Sequence, residues 1–236
     1  MRRPVCDSVD ALLFDLGNVV IEIDFNRAVA CWAAHARCEE SLIRDRFRYD
    51  HAYDQHERGK IDLNTYFSVL RTNLGVDISD AHLRDGWNAI LIGAMPGISD
   101  LLASAAGRFP LYAFSNSNPE HQKCLSDRFV DLLRPFKQIF VSSDIGLRKP
   151  EPNAYRHVVD VIGVSASRIL FFDDLIENVE GARACGLQAV HVRTSSDVRD
   201  TLSRLLTGSA QSRYSGPHEG ANHLDPVTPN SLPGAG

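Results

Sequence analysis

The strongest constraint on the fold of this chain is a rhythm between Pro110 and Val192. Four short apolar runs, at 111–114, 138–141, 168–172 and 189–192, alternate with helical stretches such as 152–162 and 177–185. Runs that are almost wholly apolar suit strands covered on both faces. Strands separated by helices need crossover connections, which join parallel neighbours. The predicted fold class is therefore α/β, a parallel sheet with helices on both faces. Gly186, just past the second helical stretch, reads as its stop. A further apolar run, Ala11-Leu12-Leu13-Phe14, lies near the N-terminus and delivers Asp15 into a Gly17-Asn18 turn.

From residue 25 to 92 the rhythm is helical, with segments expected at 25–36, 39–49, 63–74 and 80–92. Leu63, Phe67, Leu70 and Leu74 repeat at i, i+4 and i+7, the spacing of a buried stripe. Gly59 and Gly75 punctuate these segments, and Trp32 and Trp87 read as core. A helical block is thus inserted into the α/β domain directly after its first strand. Residues 207–236 are rich in Gly, Ser, Pro, Asn and His, and almost free of large apolar side chains. Such a segment cannot offset its ordering entropy, so a disordered tail is expected there.

Composition narrows the function. The 236 residues are 44% hydrophobic and 23% charged, ordinary for a globular chain, and the formal net charge is −5. That balance leaves no electrostatic footprint for nucleic acid or an anionic membrane. Cys6, Cys31, Cys38, Cys124 and Cys185 are odd in number and lack zinc-ligand spacing, so they read as small buried hydrophobes in a reducing compartment. No signal peptide or membrane span fits, and a cytoplasmic protein is expected.

In parallel α/β sheets, ligands bind beyond the carboxyl ends of the strands. Asp15, Ser115 and the pair Asp173-Asp174 each follow such an end, and Lys149 follows another strand by a short loop. A carboxylate leaving a buried strand into a Gly turn is placed to be a nucleophile or a metal ligand. Three carboxylates against one ammonium repel each other, by on the order of 1–4 kcal/mol per pair at ~4 Å. They would also repel a phosphate. A divalent cation removes the excess, and hard oxygen donors select Mg²⁺, which shares its shell with substrate phosphate. Lys149 would then hold the phosphate and pair with Asp15.

The ordered set Phe-Asp-Leu-Gly-Asn-Val, Ser-Asn, Arg-Lys-Pro and Phe-Phe-Asp-Asp-Leu-Ile-Glu-Asn, spread from Ala11 to Val192, resembles the haloacid dehalogenase-like hydrolase superfamily. The resemblance implies a Rossmann-like catalytic core at 1–22 and 93–206 and a helical cap at 23–92. It implies Asp15 as nucleophile and Mg²⁺ ligand, with the Gly17 carbonyl, Asp174 and Asp173 as further ligands. Ser115 and the Asn116 amide would hold phosphoryl oxygens, Lys149 would neutralise charge in the transition state, and Asn178 would orient the metal shell.

One position departs from the pattern. Phosphatases of this superfamily usually carry an acid two residues after the nucleophile, where this chain has Gly17. A lost general acid costs ~10²- to 10⁴-fold unless another group serves. His121 is the candidate substitute donor or substrate ligand. The chain looks most similar to the α-D-glucose-1-phosphate phosphatase branch, which implies a small phosphorylated metabolite, a sugar phosphate such as glucose 1-phosphate, as substrate. Gln55-His56-Glu57-Arg58-Gly59 also fits that branch, although Glu57-Arg58-Gly59 reads first as a helix stop. The alternatives are a 2-haloacid dehalogenase, which needs no Mg²⁺, and a phosphate-binding protein without turnover.

Overall fold

The computed structural model describes residues 8–211, with side chains as far as Thr207. Its centre is a five-stranded parallel sheet. The strands, in chain order, are β1 (Ala11–Phe14), β4 (Leu111–Ser115), β5 (Phe136–Val141), β6 (Ile169–Asp173) and β7 (Gln188–His191). Their spatial order is β5-β4-β1-β6-β7. β1 is the middle strand, with Leu12 opposite Leu111 on one side and Leu170 on the other. All of β1 and β6 is buried. Successive side chains alternate between faces. Leu12, Phe14, Leu170 and Phe172 join one apolar cluster, and Ala11, Leu13, Ile169 and Phe171 join the other. Coverage on both faces is why these strands are continuously apolar.

Helices α10 (Pro152–Ile162) and α11 (Ile176–Ala184) cover the second face through Ala154, Tyr155, Val158 and Ala182. Helices α6 (Ile98–Ala106) and α12 (Ser195–Gln211) contribute Ile98, Leu102, Val198 and Leu202 to the first. α7 (Pro119–Arg128) follows β4, α8 (Val130–Leu133) precedes β5, and α9 (Ser142–Ile145) follows it. The expected boundary at residue 207 is corrected, because α12 continues to Gln211. Residues 212–236 of the expected tail lie outside the described residues.

The helical block comprises α1 (Phe25–Ala36), α2 (Glu40–Arg46), α3 (His51–Glu57), α4 (Leu63–Leu74) and α5 (Asp80–Ala89). The side chains of Asp24, Asp50, Asp62 and Ser79 accept the first free N–H groups of α1, α3, α4 and α5. Gly75 ends α4 at φ 64, its N–H returning to the Arg71 and Thr72 carbonyls. The segment expected at 39–49 is shorter, since α2 stops at Arg46 and the chain runs extended into the Asp50 cap. The segment expected at 80–92 is corrected at its end. The chain leaves α5 at Ala89 and forms β3 (Leu91–Ala94), antiparallel to β2 (Ile21–Ile23). The boundaries expected at 22/23 and 92/93 fall inside this ribbon.

Trp32 and Trp87 are fully buried, as expected. Cys31, Cys38, Cys124 and Cys185 are free and half-buried rather than buried, with Cys38, Cys124 and Cys185 packed against the apolar clusters; Cys6 lies outside the described residues. Among the described residues, no helix is long and apolar enough to cross a membrane.

Candidate active site

The carboxyl ends of β1 and β6, central and adjacent, bring Asp15, Asp173 and Asp174 together. Carboxylate oxygens of the three lie within 4.8 Å of one another. Lys149, in the loop after α9, buries its ammonium among them. Nζ donates to Asp15 Oδ1 at 2.8 Å and to Asp173 Oδ2 at 2.7 Å. It also lies 5.3 Å from the ring centroids of Phe114 and Phe171. Aromatic faces favour a desolvated cation, so the site is built to keep this lysine charged.

Burial pushes the Asp15 carboxyl up and Lys149 pulls it down, while Asp173 and Asp174 push it up again, to about 7. Burial also raises Asp174, against a hydrogen bond from Asn18 and with a further push from Asp173. For Lys149, burial favours the neutral form, but Asp15 and Asp173 outweigh it and hold the ammonium above its usual range. The protein's own charges therefore leave an excess of negative charge, carried by hard oxygens. A divalent oxygen-seeking cation fits this donor set.

The three carboxylates are not equivalent. Asp173 is the most committed: besides Lys149, it accepts from the Leu175 N–H at 2.9 Å and from Asn178 Nδ2 at 3.0 and 3.2 Å. Asn178 is itself fixed by Tyr155, whose hydroxyl donates to its carbonyl at 2.7 Å. The geometry gives Asn178 to Asp173 and leaves Asp174 to Asn18, whose Nδ2 donates to Asp174 Oδ2 at 3.1 Å. Asn18 Oδ1 accepts the Ile23 N–H at 3.2 Å. The residue stands at φ 53, in the left-handed region that Asn tolerates better than most side chains. The role of Asn18 was missed in the sequence, although a Gly-Asn turn directly after the strand was the available signal.

Ser115 ends β4, buried beside the cluster's strand. Both functional atoms of the Asn116 side chain hold the Lys149 backbone: Nδ2 donates to its carbonyl and Oδ1 accepts its N–H, each at 2.9 Å. The Asn116 side chain is therefore committed to the Lys149 loop, and its main-chain N–H is the donor placed at the end of β4. A Cβ built on Gly17 would stand 3.9 Å from Asp15 Oδ2 and 3.0 Å from Ile23 Cδ1. A side chain here would start beside the candidate nucleophile and crowd β2.

The structure corrects the reading of His121. Its Nε2 donates to the Trp87 carbonyl at 2.8 Å and its Nδ1 accepts from Asn118 Nδ2 at 3.1 Å, while its ring stacks 4.8 Å from Trp87. Burial holds its pKa down at about 4. Both nitrogens are consumed in the seam between α7 and α5, so His121 cannot serve as substrate ligand or proton donor.

Residues 9–186 match the haloacid dehalogenase-like hydrolase family. The chain is 20% identical over 200 residues to a D-ribitol-5-phosphate phosphatase of Bacteroides thetaiotaomicron, covering 83% of this chain and 97% of that protein. It is 42% identical over 69 residues to a phosphatase of Mycobacterium tuberculosis, a match that covers 29% of this chain and spans only 32% of that protein. Among solved structures, a HAD family enzyme of Bacteroides thetaiotaomicron in complex with magnesium and inorganic phosphate is similar at TM-score 0.70 and 24% identity. That likeness covers 79% of this chain and 95% of the other. With the ordered strand-end residues and the family match over most of its length, the chain belongs to the haloacid dehalogenase-like hydrolases.

Proposed function

We propose that this protein is a Mg²⁺-dependent phosphomonoester hydrolase working through an aspartyl-phosphate. The observation that carries the reading is the buried Lys149 ammonium bridging Asp15 and Asp173, with Asp174 in the same cluster. That arrangement orients one carboxylate beside a fixed cation and leaves negative charge for a metal to balance. Asp15, the Gly17 carbonyl and Asp174 would hold Mg²⁺, with Asp173 anchored behind them. When bound, the ion offsets the charge of the carboxylates and the phosphoryl oxygens.

Asp15 attacks phosphorus as the bond to the leaving oxygen breaks. Water then cleaves the aspartyl-phosphate, restoring the carboxylate and releasing inorganic phosphate. Ser115 and the Asn116 main-chain N–H hold phosphoryl oxygens, and Lys149 stabilises charge that develops on them. Gly17 supplies no proton, so the leaving oxygen takes its proton from solvent. The helical block acts as a cap that selects the leaving group. A sugar phosphate such as glucose 1-phosphate is the favoured substrate. The D-ribitol-5-phosphate phosphatase relative supports this class.

The test is phosphate release from a panel of phosphomonoesters, with Mg²⁺ and with chelator, and with Asp15→Asn as control. Turnover that needs Mg²⁺ and vanishes in Asp15→Asn is expected. Metal-independent halide release from 2-haloacids would make the chain a dehalogenase, against which its three clustered carboxylates argue. Phosphate binding without turnover would make it a binding protein.

A further inference from the structure

The loop that carries Lys149 is held from three directions. Asn116 grips the Lys149 backbone from the end of β4. From α11, Gly181 approaches so closely that a Cβ there would lie 2.8 Å from the Pro150 carbonyl oxygen. The third hold comes from the helical block, through the last turn of α3, and neither the fold nor the proposed chemistry requires it.

Arg148 and Glu151 flank Lys149-Pro150 and are both tied to α3. Arg148 Nη2 meets Glu57 Oε2 at 2.7 Å, and its Nη1 donates to Asp54 Oδ1 at 2.9 Å. Asp54 Oδ2 accepts from Arg58 Nε at 2.8 Å. Arg58 reaches Glu151 with both terminal guanidinium nitrogens, Nη1 donating to Oε2 at 3.1 Å and Nη2 to Oε1. The result is one alternating chain of charges, Glu57–Arg148–Asp54–Arg58–Glu151, in which the two core members, Arg148 and Glu151, flank the candidate catalytic lysine.

Backbone contacts lock the same seam. Ser142 Oγ donates to the Glu57 carbonyl at 2.7 Å and accepts the Ser117 N–H at 2.9 Å. Gly59 stands at φ +64, and a Cβ on it would lie 2.3 Å from the Ser143 carbonyl oxygen. Only glycine allows this approach. Glu57 is 4% exposed, so its carboxylate is not an incidental surface partner. An exposed ion pair contributes little, but a buried charge loses much when its partner is removed.

We propose that Glu57 and Arg148 are positioning residues: they couple the docking of the helical block to the placement of Lys149 between Asp15 and Asp173. This rests on the reading of the site as a phosphate site. A docked block then means an aligned lysine, and an undocked block leaves Lys149 held by the core alone. Glu57 touches no reacting atom and acts through Arg148 on the chain next to Lys149.

Charge makes the sign of the test informative. Glu57 is an acid, so replacing its carboxylate with a neutral amide would tighten phosphate binding if it acted only through the local potential. Positioning predicts the opposite. The experiment measures the dissociation constant of inorganic phosphate with Mg²⁺ by calorimetry, in the full chain and in Glu57→Gln, Arg148→Met and the double variant. Relative kcat/KM on two phosphomonoesters and the melting temperature are read alongside.

Each single variant is expected to weaken phosphate by about tenfold, and the double to be no weaker than the worse single, as for a coupled pair. The preference between the two esters stays unchanged. The inference is overturned if Glu57→Gln binds phosphate as tightly as the unmodified protein or more tightly. It is also overturned if ester preference shifts while phosphate affinity is kept, which would make Glu57 a leaving-group selector. If the unmodified protein binds no phosphate with Mg²⁺, the phosphate-site reading fails, and this inference falls with it.

Discussion

Asn18 shows how much one turn residue can contribute at such a site. Its backbone lies at φ 53, its Oδ1 accepts the Ile23 N–H and its Nδ2 holds Asp174. One side chain thereby links the turn after β1, the start of the β2–β3 ribbon and a candidate metal ligand. Removing the amide frees Asp174 to rotate and removes a bond that favours its ionised form. Loss of such a supporting bond typically costs 10- to 100-fold in metal affinity. Asn18→Ala is therefore expected to raise the Mg²⁺ concentration for half-maximal activity by about 10- to 100-fold. An unchanged Mg²⁺ titration would show that Asp174 needs no such support.

Among the elements, α1 and α5 pack most tightly where Gly86 faces Trp32. A Cβ on Gly86 would lie 2.2 Å from Trp32 Nε1 and 2.4 Å from Cδ1. The indole cannot yield easily: it is fully buried, and Nε1 donates to the Leu83 carbonyl at 2.9 Å. Gly86→Ala sets two effects against each other. Alanine gains up to ~1 kcal/mol of helix preference over glycine. Overpacking costs ~1–3 kcal/mol, and loss of the indole bond adds to that. Packing wins, so a net destabilisation of about 1–2 kcal/mol is expected from a denaturant midpoint. A more stable Gly86→Ala would mean that α1 and α5 can slide apart freely.

For the whole molecule, the seam between the helical block and the core depends on a neutral histidine. Asn118 caps α7 and donates to His121, and His121 donates to the Trp87 carbonyl on α5. A second proton on the ring would take away the acceptor that Asn118 needs. Burial lowers the His121 pKa from 6.5 to about 4, so the folded state binds this proton later than the unfolded state does. The stability it contributes is complete above about pH 6.5 and is lost as pH falls to about 4. The limit is on the order of 3 kcal/mol. His56, also lowered by burial, acts in the same direction. Melting temperature is expected to fall more steeply from pH 6.5 to 4 in the native chain than in His121→Phe. Equal slopes would place the acid sensitivity elsewhere.

What the sequence alone determined is the sheet and the polar residues at its carboxyl edge. Strand character, helix starts and the polarity of strand-end residues are local properties, legible in a window of a few positions. So Asp15, Ser115, Lys149 and Asp173-Asp174 could be named before any coordinates, and six of the helix segments could be placed to within a few residues. The tertiary structure decided what each polar group is paired with. It turned the end of the segment expected at 80–92 into β3, because β2 offered an edge that no window contains. It removed His121 from the site and gave Asn18 to Asp174, across 156 positions of sequence. It also tied Arg58 to Glu151, across 93 positions. A hydrogen bond or ion pair forms between whichever groups the fold brings within about 3 Å, and that distance is not written in the spacing of residues.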